Sequence, residues 1–187
     1  EPLTSSEDGG SGADGGGTDG GAIDPSYVQA AFSAMSGTNA DTAAFRYKVK
    51  TAIASDGTGS LLTLTVGAQS AETHPRRVVD LEIYVTKPLQ AGQTVTLVRR
   101  SQLAQTDCGG TCTNKGGVLF SMTNASGTAD KVWDATGGTL TVQTVSGANV
   151  TFSSGQLDMA ADSLTSGNQA TGTFKMALTG LAVVAGL

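Results

Sequence analysis

Residues 45–53 read Phe-Arg-Tyr-Lys-Val-Lys-Thr-Ala-Ile. Phe45, Tyr47, Val49, Thr51 and Ile53 alternate with Arg46, Lys48 and Lys50, a period of two that turns one face of an extended chain toward a core and the other toward water. The run ends at Asp56-Gly57. The same alternation recurs downstream. Leu62, Leu64 and Val66 mark a second strand, with Leu61 at its start, and Val79, Leu81, Ile83 and Val85 a third, stopped near Pro88, with Glu82 on its polar side. Val95 and Leu97 belong to a fourth within 93–99, and Val118, Phe120 and Met122 give a fifth. Val132 and Trp133 form a short segment before an Asp-Ala-Thr-Gly-Gly turn at 134–138. Residues 137–154, GGTLTVQTVSGANVTFSS, read as a hairpin turning at Ser146-Gly147-Ala148-Asn149. Leu157 and Met159 continue its return strand beyond the Ser153-Ser154-Gly155 interruption, where a bulge would bend it. Phe174, Met176 and Leu178 alternate in the last strand, followed by Leu181, Val183 and Val184 after Gly180.

About eight or nine strands with no long helices between them predict an all-β fold: an antiparallel β-sandwich, with a closed β-barrel as the alternative. One apolar face per strand and short loops favour the sandwich. A ligand-holding cup would want a more aromatic interior than five Phe, three Tyr and one Trp provide. One short helix is expected at 24–36, DPSYVQAAFSAMS. Asp24 can cap its free amides, Pro25 suits its first position and Gly37 stops it. Tyr27, Val28, Ala31, Phe32, Ala34 and Met35 would form its apolar side.

Ahead of this lies EPLTSSEDGGSGADGGGTDGG, with Leu3 as its one substantial apolar side chain and acids at positions 1, 7, 8, 14 and 19. Such a stretch buries too little apolar surface to offset the entropy of ordering it. Residues 1–22 are therefore expected to be a flexible tether and residues 23–187 one domain. Charged residues are only 14% of the chain, and Thr, Ser, Asn and Gln take their place, as extracellular β proteins often show. The net charge of −5 argues against an unspecific polyanion binder and against nucleic acid as partner.

The two cysteines, Cys108 and Cys112, are separated by Gly109-Gly110-Thr111. A C-x3-C spacing with two glycines can close a small disulfide loop, which implies an oxidising compartment; free thiols are the alternative. A metal site would want about four ligands, and His74 is the one histidine, so no metal and no cofactor is expected. A signal peptide and a lipid-modified cysteine upstream would suit the tether, with a freely secreted protein as the simpler reading.

Residues 137–159, GGTLTVQTVSGANVTFSSGQLDM, followed by QATGTFKMALTGL at 169–181, resemble the C-terminal hairpin and closing strand of secreted bacterial β-sandwich lipoproteins of unknown function. The Gly/Asp tether resembles the spacer after the lipidated cysteine in myxobacterial surface proteins. The resemblance implies a location outside the cell or in the outer membrane or periplasm of a Gram-negative bacterium, with a binding or structural role. It attaches no functional residues to numbered positions.

Catalytic motifs do not emerge. G-x-S-x-G, H-E-x-x-H and G-x-x-x-x-G-K-[ST] are all missing, and one histidine precludes sites built on several imidazoles. Asp80, Glu82, Asp130, Asp134, Asp158 and Asp162 could supply a carboxylate pair, but most look like strand-edge or turn residues. Asp56-Gly57-Thr58-Gly59 and the acids at 158 and 162 could hold a structural calcium, although neither has the spacing of a dedicated loop. The chain is thus read as not an enzyme. The ligand-binding candidates are His74, Arg76 and Arg77 before the third strand, Arg99 and Arg100 after the fourth, and Trp133, which is either a core residue or an exposed stacking platform. The expected function is a non-catalytic surface or periplasmic binding or structural protein, its partner a protein or carbohydrate. A subunit of an extracellular assembly, self-associating through the apolar ending MALTGLAVVAGL, and an enzyme acting on carbohydrate or peptide are the alternatives.

Overall fold

A computed structural model describes residues 26–57, 59–70, 75–103 and 112–187. Residues 1–22, Asp24, Pro25, His74 and Cys108 lie outside them. The described chain is all-β, a mixed and mostly antiparallel sheet of 11 strands. In chain order these are β1 (Tyr27–Ser36), β2 (Phe45–Asp56), β3 (Leu61–Gln69), β4 (Arg77–Thr86), β5 (Thr94–Leu97), β6 (Lys115–Thr123), β7 (Ala129–Gly137), β8 (Thr139–Ser146), β9 (Asn149–Ser154), β10 (Leu157–Ala161) and β11 (Thr173–Val183). A short 3₁₀ turn occupies Arg100–Leu103.

Sequence neighbours pair with one another along most of the sheet, as a meander does, and the first strand pairs with the last. β7 and β8 run as one nearly continuous strand, and so do β9 and β10. Together they make a long hairpin whose pairs extend from Ser146↔Asn149 to Trp133↔Ala161. β11 pairs β10 through its first half and β9 through its second. The short β5 wedges between β6, its one parallel neighbour, and β8. Every named strand has two or more partners.

The expected helix is a strand. Val28 and Ala30 are buried while Gln29 and Ala31 are exposed, so β1 buries residues at period two where a helix would need 3.6. Its local preference for helix is overridden by pairing: β1 matches β11 from Tyr27↔Leu181 to Ser36↔Thr173 and β2 from Tyr27↔Lys48 to Ala30↔Phe45. The strand is irregular between Ser33 and Ser36, where Ala34 takes φ = 50°. A second correction concerns Asp134, Ala135 and Thr136, read as a turn. They continue β7, with Asp134 paired to Leu119 on one side and Ala160 on the other.

The inward side chains of all the long strands form one core. Within it Phe120, Trp133 and Phe174 pack together, with half-buried Phe32 against them, at ring-centroid distances of 5.3–5.9 Å and mostly edge to face. The Trp133 indole N–H donates to the Thr171 carbonyl at 3.0 Å, so its one polar atom is satisfied. Gly180 keeps β11 unbroken where a side chain would stop it. A Cβ there would stand 2.4 Å from the Phe152 ring.

The register also fixes the two ends of the sheet. Ser26 leads into β1 beside the ends of β9 and β11, its hydroxyl accepting from the Val183 N–H at 3.0 Å. The chain's ending lies at this same end. Ala185 exchanges backbone hydrogen bonds with Ala52 and Ala54, and Val184 donates to Ala148. At the opposite end lie the β1–β2, β3–β4, β6–β7 and β10–β11 connections.

A left-handed alanine carries a steric cost of about 1–2 kcal/mol that glycine avoids. Ala34→Gly is expected to raise the unfolding free energy in urea by about 1 kcal/mol; an unchanged or lower value would remove strain at Ala34 from this account.

Candidate functional site

Among the described residues, those expected to bind a ligand do not converge, and His74 lies outside them. Arg76 and Arg77 stand at the loop end of the sheet. The Arg77 guanidinium lies 3.3 Å from the Phe45 ring centroid and pairs with Asp41 at 2.8 Å, while Arg76 donates to the Gln69 side chain at 3.3 Å. Arg100 meets Glu82, five positions further along β4 than Arg77 and roughly 17 Å away by strand rise. Trp133 is 0% exposed, so it is the core tryptophan and not a surface stacking platform.

Around Arg99 and Arg100 the structure builds something composition alone did not suggest. The outward face of β4 presents Asp80, Glu82 and Tyr84 in alternate positions. Beside it in β6 stands Gly117, paired with Glu82. A Cβ at Gly117 would lie 2.6 Å from the Arg100 side chain and 3.0 Å from Leu103, so its absence lets the 3₁₀ turn lie flat on the sheet. There Arg100 Nη2 donates to Glu82 Oε2 at 2.8 Å, and the Arg100 backbone N–H donates to Asp134 Oδ2 at 2.9 Å. The Tyr84 hydroxyl donates to the other Glu82 oxygen. Leu103, Tyr84 and Cys112 pack together beside Leu61 and Val98 in a small core outside the main one.

Electrostatics follow from this cover. Asp134 is 3% exposed, and burial pushes its carboxyl up to about 6, against the Arg100 N–H and the Arg99 and Arg100 charges that oppose it, with Asp162 adding to the rise. Burial likewise raises Asp80, opposed by Arg100, and pushes Tyr84 up to about 12, aided by its hydrogen bond to Glu82 and the Glu82 charge. For Asp162 burial works upward but is outweighed, leaving the carboxyl below its usual value: the Thr165 hydroxyl and the Leu164 and Thr165 N–H groups hydrogen-bond it, and Arg99 adds its charge. Asp134 Oδ1 and Arg99 Nη1 are both buried without a hydrogen-bond partner.

Chemically this is a clasp. Both Glu82 oxygens are committed, and Asp134 is covered by the turn it holds. Asp134 was among the carboxylates singled out in the sequence, but its environment was not legible, because the glycine that seats the turn lies on β6 and the arginines that cover it lie in and just before the 3₁₀ turn, all far from it in the chain. Two further acids are engaged: Asp158 with Lys175, across which Ala34, Thr136 and Thr173 line a shallow cavity of about 280 Å³, and Asp56 with Lys87 at 2.6 Å. Among the described residues no group of three or more His, Cys, Asp or Glu side chains stands together as a metal site.

Of the disulfide expected between Cys108 and Cys112, Cys108 lies outside the described residues, while Cys112 is disulfide-bonded. Cys112 itself is not a free thiol and is buried in the small outer core.

No protein-family model, curated protein or solved structure matches the chain.

The clasp makes a pH prediction. A carboxyl whose folded pKa is about 6 against 3.8 unfolded binds its proton more tightly in the folded state. Its contribution to stability is therefore fully present below pH 3.8 and is lost as pH rises to about 6, a change of order 3 kcal/mol. Asp134→Asn should remove that decline, so the difference in urea stability between variant and parent grows in the variant's favour from pH 4 to pH 6. A difference that stays constant with pH would sink the assignment.

Proposed function

We propose that this chain is a non-catalytic binding domain of the cell surface or periplasm, presented on its acidic glycine-rich segment 1–22 and meeting a protein or carbohydrate partner through the loop end of its sheet. The observation that carries the reading is positional. Residue 26 and residues 183–186 share one end, so a domain held by its N-terminal segment turns the other end outward.

That outward end is built as a rigid frame. Asn168 Oδ1 accepts from the Val132 and Ala170 N–H groups, and its Nδ2 donates to the Val132 and Asp162 carbonyls. Asn39 links the β1–β2 loop to the β10–β11 loop through Gln169 and Thr171, and the Thr171 hydroxyl reaches Gly37. Above the frame Leu164 is 68% exposed, an apolar side chain held out by the hydrogen bonds of Asp162. Ordered loops on a fixed scaffold are where binding residues usually sit.

The unbroken circuit of strand pairs favours reading the sheet as a closed up-and-down barrel with a filled interior, in preference to a sandwich. The likeness of segment 1–22 and of the last hairpin to bacterial surface lipoproteins supports the location. Engagement of Asp56, Glu82 and Asp158 in structural pairs, and the pairing of the apolar ending within its own chain, favour binding over catalysis or assembly.

The test combines two measurements. The purified protein should run as a monomer in size exclusion with light scattering across a wide concentration range. It should also be retained on cell-wall polysaccharide or envelope protein without hydrolysing either, and Leu164→Asp should weaken that retention while Ile53→Asp, at the opposite end, leaves it intact. Turnover of the polymer, concentration-dependent assembly or equal loss in both variants would overturn the reading.

A further inference from the structure

Two bulges flank the β10–β11 pair at one level of the wall. On one side β1 matches Ser33 to Lys175 and Ser36 to Thr173, so Ala34 and Met35 together oppose Phe174. On the other side β7 matches Gly137 to Asp158 and Ala135 to Met159, so Thr136 is the extra residue. Met159 and Phe174 are themselves register partners, which places the two irregularities abreast. Bulges of this kind re-aim side chains and gather beside binding sites.

The β1 bulge also carries strain. Ala34 sits at φ = 50°, a left-handed conformation that glycine would adopt without cost. Closure of the sheet does not call for it, since β1 is already in register with β11 from Tyr27 to Ser33. Between the bulges lies the cavity of about 280 Å³. Met159 and Phe174, at 1% and 2% exposure, form its base, and Ala34 and Ala160 bring methyl groups to its sides.

Its polar groups are of mixed kind and sum to no charge. Asp158 Oδ1 accepts from Lys175, which leaves Asp158 Oδ2 open and two of the three ammonium protons unused. Beside Oδ2 stands Gly137, where a Cβ would come within 3.5 Å of that oxygen. The Thr136 hydroxyl donates to the Asp158 carbonyl at 3.1 Å and keeps its capacity to accept, and the side chain of Thr173 is at the exposed rim.

We propose that this cavity holds a single neutral sugar ring. An anion placed here would meet the Asp158 carboxylate, a cation would meet the Lys175 ammonium, and a zwitterion would have to part the pair. Sugar hydroxyls each donate and accept, so adjacent ones can donate to Asp158 Oδ2 and accept from Lys175 while the pair stays closed, with the hydroxyls of Thr136 and Thr173 in reach of others. The C–H face of the ring would lie on the Ala34 and Ala160 methyls. The volume falls just below the roughly 300 Å³ at which pockets begin to enclose drug-sized ligands, which suits one ring and not a chain. This site stands on the side wall and holds whether or not Leu164 meets a partner at the loop end.

Titration of the isotope-labelled full chain with the methyl glycosides of glucose, galactose, mannose and N-acetylglucosamine, followed by amide chemical shifts, tests it. At least one glycoside should give saturable shifts confined to Ala34, Thr136, Ala160, Lys175 and their neighbours, with a Kd of about 1–10 mM, as a ligand of about a dozen heavy atoms permits. Asp158→Ala should abolish those shifts and Thr173→Val should weaken binding several-fold, the dispersion of the same spectra showing that each variant is folded. Asp56→Ala, which opens the ion pair at the opposite end, should bind like the parent. No saturable shift with any glycoside, equal loss in Asp56→Ala, or larger shifts at these residues from glycylglycine or inorganic phosphate than from every glycoside would each overturn the proposal. Leu164→Asp should leave glycoside binding unchanged, which separates failure here from failure at the loop end.

Discussion

The seam between β1 and β11 is the constraint on which the rest of the molecule depends. Tyr27 and Leu181 are 154 positions apart, yet their pairing turns an open meander into a circuit. Without it two long strands would expose their hydrogen-bonding edges, and Val28, Ala30, Met176 and Leu178 would lose the neighbours that bury them. Valine, methionine and leucine side chains contribute about 1.5–3 kcal/mol each when removed from water, so the seam and the core stand or fall together. It also concentrates the most non-local contacts of the fold in one place, the kind of contact that slows folding.

This dependence explains what could be read from the residues and what could not. The strands at Phe45, Leu62, Val79, Val118, Leu140 and Phe174 announce themselves because each has one wet face and one dry face, a property local to the strand. β1 does not. Its Ala-Ala-Phe-Ser-Ala-Met run is rich in helix formers, and the information that it must lie flat resides in β2 and β11, its partners far along the chain. Asp134 fails the same test from the other direction. Aspartate beside Gly-Gly suggests a turn, but flanking strands β6 and β10 carry the backbone straight through. Trp133 is the case where both readings were open and burial decided between them.

Charge shows a comparable division. Of the cations singled out in sequence, Arg77 and Arg100 are held by Asp41 and Glu82, and each helps to pin a loop or turn to the sheet. The lysines and arginine of β2 looked merely like the wet side of a strand, and in the sequence they served to identify it. Asp158 and Lys175 show the other side of the division: they stand 17 positions apart and meet because β10 and β11 run abreast.

The frame at the loop end has a consequence of its own. Asn39, Asp162, Asn168 and Thr171 hold their loops through bonds directed inward and sideways, and the exposed tip between Asp162 and Asn168 contributes little to them beyond Thr165. Residues at such a tip can lengthen or change while the sheet beneath keeps its shape. The tip is accordingly the natural place to graft a foreign epitope or a reporter peptide, and the place where descendants of this chain would diverge first without losing their fold.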